Sequence, residues 1–172
     1  MVIVLLAEGF EELEALSPVD ILRRENIEVK TVGIGGKTVT GAHGITVSCD
    51  LLAEEVDKSE ISAVIFPGGM PGSLNLDASP FTDKFIEAAI KNGGRLAAIC
   101  AAPLVLGRRG LLRGKRATCF PGFESELIGA TPTGEAVVTD GRITTARDFR
   151  AAVAFGDELA RLLNQTDGAI NE

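Results

Sequence analysis

Across 172 residues, 17 lysines and arginines stand against 24 aspartates and glutamates, a formal net charge of −7 with histidine neutral. At about 150 residues per domain this reads as a single domain, 1–172, long enough to bury one sizeable core. An acidic chain with eight Phe and no Trp or Tyr lacks both the basic footprint of a nucleic-acid binder and the stacking platforms of a single-strand binder.

The chain opens on Val2 to Leu6, a continuous β-branched-rich run of the kind buried on both faces of a sheet. No basic segment precedes it, so no secretory leader is expected and the protein reads as cytoplasmic. Glu11 to Arg24 predicts a helix with acids in its first turn and arginines in its last, which suits the helix dipole. Pro18 inside it predicts a kink or an early break. Ile27 to Val32 predicts a second strand. After Gly33-Ile34-Gly35-Gly36, the segments Lys37 to Thr40 and Ile45 to Cys49 predict a hairpin. The Gly33-Ile34-Gly35 run precedes a hairpin rather than a helix, so it is not a dinucleotide fingerprint.

Ala63 to Phe66 predicts a buried strand ending at Pro67-Gly68-Gly69, and Phe81 to Lys91 a helix closed by Asn92-Gly93-Gly94. Arg95 to Ile99 is the next strand and Ala101 to Arg109 the next helix. The nearly apolar stretch from Leu96 to Leu106 contains Pro103 and falls well short of the ~20 residues of a membrane span. Ala136 to Thr139 and Arg142 to Thr145 flank Asp140-Gly141, a hairpin signal. Asp148 to Leu163 is the last helix, with Ala152, Phe155, Leu159 and Leu162 on one face, and a polar, frayed tail follows from Asn164. Strands alternating with helices imply a flavodoxin-like three-layer α/β sandwich: a mostly parallel sheet, helices on both faces, and a small inserted β-hairpin.

In such sheets ligands gather outside the carboxyl ends of the strands. Cys100 stands there, between a strand and a helix, flanked by Ala97, Ala98, Ala101 and Ala102. Small neighbours permit the tight turn of a nucleophile elbow, and a following helix N-terminus lowers a thiol pKa. The alternative is inert packing, because cysteine is among the most buried residue types. Pro67-Gly68-Gly69 offers backbone amides to a developing oxyanion or is a plain turn. Glu14 shares a helical face with Phe10, Leu13, Ser17 and Ile21, where a desolvated carboxyl would be protonated and could donate to a thiolate. Periodicity does not single it out, since Glu11 shares a face with Ala15 and Leu22; solvated first-turn acids are the other reading. Cys49 and Cys119 have no activating neighbour in sequence. Three scattered cysteines are no disulfide framework. One histidine, His43, leaves too few soft ligands for a zinc site, so no metal is expected; His43 itself reads as a surface residue.

The strings Glu11–Glu14, Pro67-Gly68-Gly69 and Ala98-Ile99-Cys100-Ala101-Ala102-Pro103, in this order, resemble the ThiJ/PfpI superfamily, in particular the branch of YajL and the parkinsonism-associated protein deglycase. The resemblance implies that Cys100 is a nucleophilic, oxidation-prone cysteine and Glu14 its protonated partner. Gly68, Gly69 and Ala101 then supply backbone amides, and no cofactor is needed. It implies a homodimer acting on a small carbonyl substrate or glycated groups, with glyoxalase and deglycase activity; chaperone and oxidant-sensing roles are the alternative. Three departures matter. Ala101 replaces the histidine of the protease branch, which argues against peptidase activity. Phe120 stands where many deglycase-branch members carry a histidine. Arg147-Asp148-Phe149-Arg150 replaces a Gly-Pro-Gly-Thr helix start. His43 falls near a family arginine that approaches the partner's cysteine, and it is a candidate for acting in trans. A flavodoxin-like nucleotide binder is the third reading; the acidic first strand-to-helix loop disfavours it, because phosphate needs open amides.

Overall fold

Val2–Leu6 forms β1, buried at every position. It is followed by α1 (Glu12–Arg24), β2 (Val29–Gly33), the hairpin strands β3 (Thr38–Thr40) and β4 (Thr46–Ser48), β5 (Leu51–Leu52) and β6 (Ala63–Phe66). Next come α2 (Gly72–Ala78), α3 (Pro80–Lys91), β7 (Arg95–Ile99) and α4 (Pro103–Arg108). β8 (Arg116–Ala117), β9 (Thr131–Pro132), β10 (Val137–Asp140), β11 (Ile143–Ala146) and α5 (Ala152–Asp167) follow. This computed structural model describes residues 1–167.

The main sheet has the order β10-β11-β7-β6-β1-β2-β5 and is parallel except for β10, which pairs antiparallel with β11. β3–β4 and β8–β9 form two small sheets of their own. Strand periodicity sorts the core into two layers. Val2, Val4 and Leu6 of β1 pack with Ala15, Val19 and Leu22 of α1 and with Phe155 and Leu159 of α5. Ile3 and Leu5 point the other way, into the layer holding Leu76 of α2, Phe85 and Ile86 of α3 and Leu104 of α4. Each such side chain, fully buried, contributes about 1.5–3 kcal/mol relative to exposure. Two covered faces are what a continuously apolar strand requires. The expected three-layer α/β architecture with a mostly parallel sheet and an inserted hairpin is therefore present. Among the described residues no helix is long and apolar enough to cross a membrane.

Several boundaries differ from those the sequence predicts. α1 runs through Pro18 without a break. Pro18 sits past the first turn, where a missing N–H costs one intrahelical bond, and burial of the flanking Ala15, Val19 and Leu22 offsets that loss. α4 starts at Pro103, not Ala101, because Ala101 and Ala102 are spent on the turn after Cys100. The second hairpin is shifted by one residue: Asp140 pairs with Ile143, so the loop is Gly141-Arg142. α5 continues past Leu163 to Asp167, so the polar tail starts later than expected, and what remains of it lies outside the described residues.

Candidate active site

β1, β6 and β7 all end at one edge of the sheet, and the three sequence strings that stood out converge there. Cys100 follows β7 in a left-handed conformation, φ 65°, a strained state that a tight strand-to-helix elbow imposes on a non-glycine residue. Its backbone is fixed on both sides: its N–H donates to Ala146 O at 2.9 Å, and its carbonyl accepts from Phe120 N–H at 2.8 Å. Ala102 N–H closes the turn on Ile99 O at 3.0 Å. The alanines before and after the cysteine are buried; larger side chains would have no room. The thiol itself is half-buried.

Glu14 lies in the first turn of α1, 1 % exposed. Its Oε2 accepts from Gly68 N–H at 2.9 Å, while Glu11 N–H donates to Gly68 O at 2.9 Å. The helix start and the loop after β6 are thus zipped together. A Cβ on Gly68 would stand 2.4 Å from Glu14 Oε2 and 2.6 Å from Cys100 Cβ. Only glycine lets the acid and the cysteine share that space. The Glu14 carboxyl and the Cys100 thiol lie close enough to shift each other's protonation, and Oε1 is buried with no hydrogen-bond partner among the described residues. The backbone amides of Ala101 and Gly69 are directed at the sulfur. Of the amides expected to serve an oxyanion, then, Gly69 and Ala101 face the reactive atom. Gly68 does not: its N–H is taken by Glu14.

Burial pushes the Glu14 carboxyl up to about 7; the Cys100 and Gly68 hydrogen bonds pull it down, while the charges of Glu11 and Asp148 push it further up. Burial also raises the Cys100 thiol, with the Glu14 carboxylate adding to the rise and the Ala101 and Gly69 amides opposing it. This corrects the expectation of a thiol pKa lowered by the following helix. α4 begins three residues on, and desolvation plus a neighbouring acid dominate. The two groups behave as one acid that releases a proton near pH 7 and keeps the second well into the alkaline range. The charge that appears near pH 7 therefore sits on Glu14, beside a thiol that still holds its proton.

The sequence reading missed two carboxylates. Glu12, which the sequence presents as an ordinary first-turn acid, is 4 % exposed. It accepts from the N–H groups of His43 (2.7 Å) and Ile45 (3.4 Å), and its Oε2 meets His43 Nδ1 at 2.8 Å. His43 is an exposed hairpin residue, as its polar flanks predict, and within its own chain it is tied to α1 through Glu12. Asp148, inside the Arg147–Arg150 departure, is buried, accepts from Arg150 N–H at 2.9 Å and pairs with Arg147 at 3.2 Å. The available signal was its place just after β11, on the same sheet edge as Cys100. Phe120 is part-exposed beside the elbow through its bond to Cys100 O. Cys49 and Cys119 are buried, and burial pushes each thiol up to about 11. The acidic first loop is closed to phosphate: Glu8 Oε1 accepts from Thr40 N–H at 3.0 Å, and Gly9 N–H donates to Thr40 O at 2.9 Å.

Comparison with known proteins matches residues 1–162 to the DJ-1/PfpI family. A deglycase from Pyrococcus abyssi is 34% identical over 168 residues, covering 94% of this chain and 98% of that protein. A putative cysteine protease, YraA of Bacillus subtilis, is 35% identical over 164 residues, covering 93% of this chain and 96% of its own. Among solved structures, a cysteine-to-alanine mutant of a DJ-1 superfamily protein from Salmonella typhimurium superposes with a TM-score of 0.89 at 34% identity, covering 95% of this chain and 90% of that one. With the family's match spanning both Glu14 and Cys100, the chain belongs to the DJ-1/PfpI family.

Proposed function

We propose that the protein is a cofactor-free cysteine enzyme acting on reactive carbonyls, methylglyoxal or its adducts on protein groups. One observation carries this reading: a thiol on a strained elbow and a buried carboxyl face each other across Gly68, where only the absence of a side chain leaves room for both. The deglycase name of the Pyrococcus abyssi relative supports it. The Glu14 carboxylate takes the Cys100 thiol proton as the sulfur adds to the aldehyde carbon, breaking S–H and forming C–S, and then passes that proton to the former carbonyl oxygen. The resulting carboxylate removes the proton from that carbon and returns it to the adjacent carbon through an enediol, leaving a lactoyl thioester. Water cleaves the thioester to lactic acid and the free thiol. The net reaction is methylglyoxal plus water to lactic acid, with no oxidant or reductant consumed. Acid–base help of this kind is typically worth ~10²–10⁴-fold. Lactate formation followed by NMR tests it: Cys100→Ser and Glu14→Gln each lose at least ~10²-fold with folding intact, and full activity in either rejects the mechanism. Ala101 in place of a histidine argues against the peptidase activity that the Bacillus subtilis name suggests.

A second reading, a redox-responsive protein without turnover, is favoured by the absence of a histidine at the elbow among the described residues. The one histidine in the chain is held by Glu12, and Phe120 carries no titratable group. The same amides and carboxyl suit a sulfinate at Cys100. Mild peroxide followed by mass spectrometry should place oxygen on Cys100 before Cys49 or Cys119; an even spread removes this reading. Exposed apolar side chains on α1 (Leu13), the hairpin (Ile45) and α5 (Val153) support a homodimer, and light scattering at the monomer mass would refute it.

A further inference from the structure

Beside the Cys100 elbow, the start of α1 and the β3–β4 loop bring three ligating side chains together. Glu11, Glu12 and His43 each offer one ligand atom, all within 4.8 Å of one another. We propose that they bind a borderline divalent cation of the zinc class. Each carboxylate commits one oxygen to backbone amides and turns the other toward the imidazole. Glu11 Oε2 accepts from Glu14 N–H at 2.8 Å, leaving Oε1 3.8 Å from His43 Nδ1. Glu12 Oε1 accepts from His43 N–H at 2.7 Å, leaving Oε2 2.8 Å from the same Nδ1. The ligands are therefore oriented before an ion arrives, which is the function of supporting hydrogen bonds around a metal.

The separations also fit. An ion about 2.0–2.2 Å from nitrogen and oxygen ligands sets them about 3.4 Å apart in a tetrahedral site, so small movements about the observed positions suffice. One imidazole and two carboxylates select Zn²⁺ and its neighbours over Mg²⁺ or Ca²⁺, which favour all-oxygen shells. His43 is the cationic partner at this cluster: among the described residues no lysine or arginine pairs with Glu11 or Glu12. The loop is shaped to rest on Glu12, for a Cβ on Gly41 would come within 2.3–2.7 Å of that carboxyl.

A simple staple between hairpin and helix would use Glu12 and His43 and give Glu11 Oε1 no part, which makes Glu11 the discriminating residue. Zn²⁺ is titrated into the full chain while the imidazole proton resonances of its single histidine are followed. One equivalent should shift them; Glu11→Gln, which keeps an oxygen for the Glu14 amide, should bind at least tenfold more weakly without a change in Tm; Cys100→Ser should bind like wild type. Unmoved imidazole resonances, wild-type affinity in Glu11→Gln, or loss of binding in Cys100→Ser would each overturn the assignment, the last by giving the ion to the thiol.

Discussion

Glu12 and Glu14 stand two residues apart on the first turn of α1, and both are almost fully buried, yet their protons are held in opposite ways. Burial raises both. At Glu12 the hydrogen bonds from the His43 side chain and from the amides of His43 and Ile45 outweigh it, and the carboxyl ends below its ordinary value of 4.5. At Glu14 one amide and a thiol meet the carboxyl while Glu11 and Asp148 crowd it with negative charge, and it rises to about 7. Two positions along a helix point to different sides: one side meets a polar hairpin loop, the other the strand ends around Cys100. Burial alone does not decide ionisation; the number of donors facing the oxygens does.

The contrast breaks most completely at Gly68. Gly68→Ala puts a methyl into both Glu14 Oε2 and Cys100 Cβ without altering either functional group. Overpacking of this kind costs about 1–3 kcal/mol, and lactate formation should fall by about 10²-fold, the loss expected when a positioned acid is displaced. Wild-type turnover in Gly68→Ala would mean that the pair is not what reacts.

Glu14→Gln sharpens it. A carboxyl raised from 4.5 to about 7 stabilises the fold fully below pH 4.5, and that contribution is lost as pH rises through 7. Its size is about 3 kcal/mol. Urea unfolding of wild type should therefore weaken between pH 5 and 8, whereas Glu14→Gln, which cannot ionise, should hold a nearly flat profile. Equal slopes in both proteins would place the titrating group elsewhere.

Legibility in the sequence followed the same division. Strands buried on both faces announce themselves by unbroken apolar runs, so β1, β6 and β7 have the predicted ends. β5, β8 and β9 are two residues each, too short for any period, and α2 reads Gly-Ser-Leu-Asn-Leu-Asp-Ala, too polar and glycine-led to stand out. The elbow at Cys100 was visible because small flanks mark a tight turn. The Glu12–His43 contact was invisible because partners 31 residues apart in the chain meet only once the hairpin folds back over α1. The protonation of the thiol is not legible in the sequence for a related reason: the local signal, the following helix, is outweighed by burial and by an acid from the far end of the chain.

Glu12→Ala should loosen the hairpin rather than the cysteine. It strips the acceptor from two loop amides and from the imidazole, a loss of about 2 kcal/mol. Its contribution in the wild type is present above pH 4.5 and lost as pH falls, the reverse of Glu14. Amide hydrogen exchange should quicken at His43 and Ile45 while alkylation of Cys100 keeps its pH profile; a shifted profile would show that the two carboxylates are not independent.

The smallest effect belongs to His43→Gln. The imidazole is mostly exposed, and its pairing with Glu12, which raises the histidine's pKa, is screened by water and salt. Glu12 keeps the amides of residues 43 and 45 in the variant, because those bonds come from the backbone. Tm at pH 7 should then move less than in Glu12→Ala, and the gap between His43→Gln and wild type should close as pH rises through the imidazole's titration, where the charge on the ring disappears. A loss as large as that of Glu12→Ala at every pH would mean that the ring's shape, not its charge, organises the loop. In that case the fixed orientation of the Glu12 carboxylate would come from packing against Gly41 rather than from the donors around it.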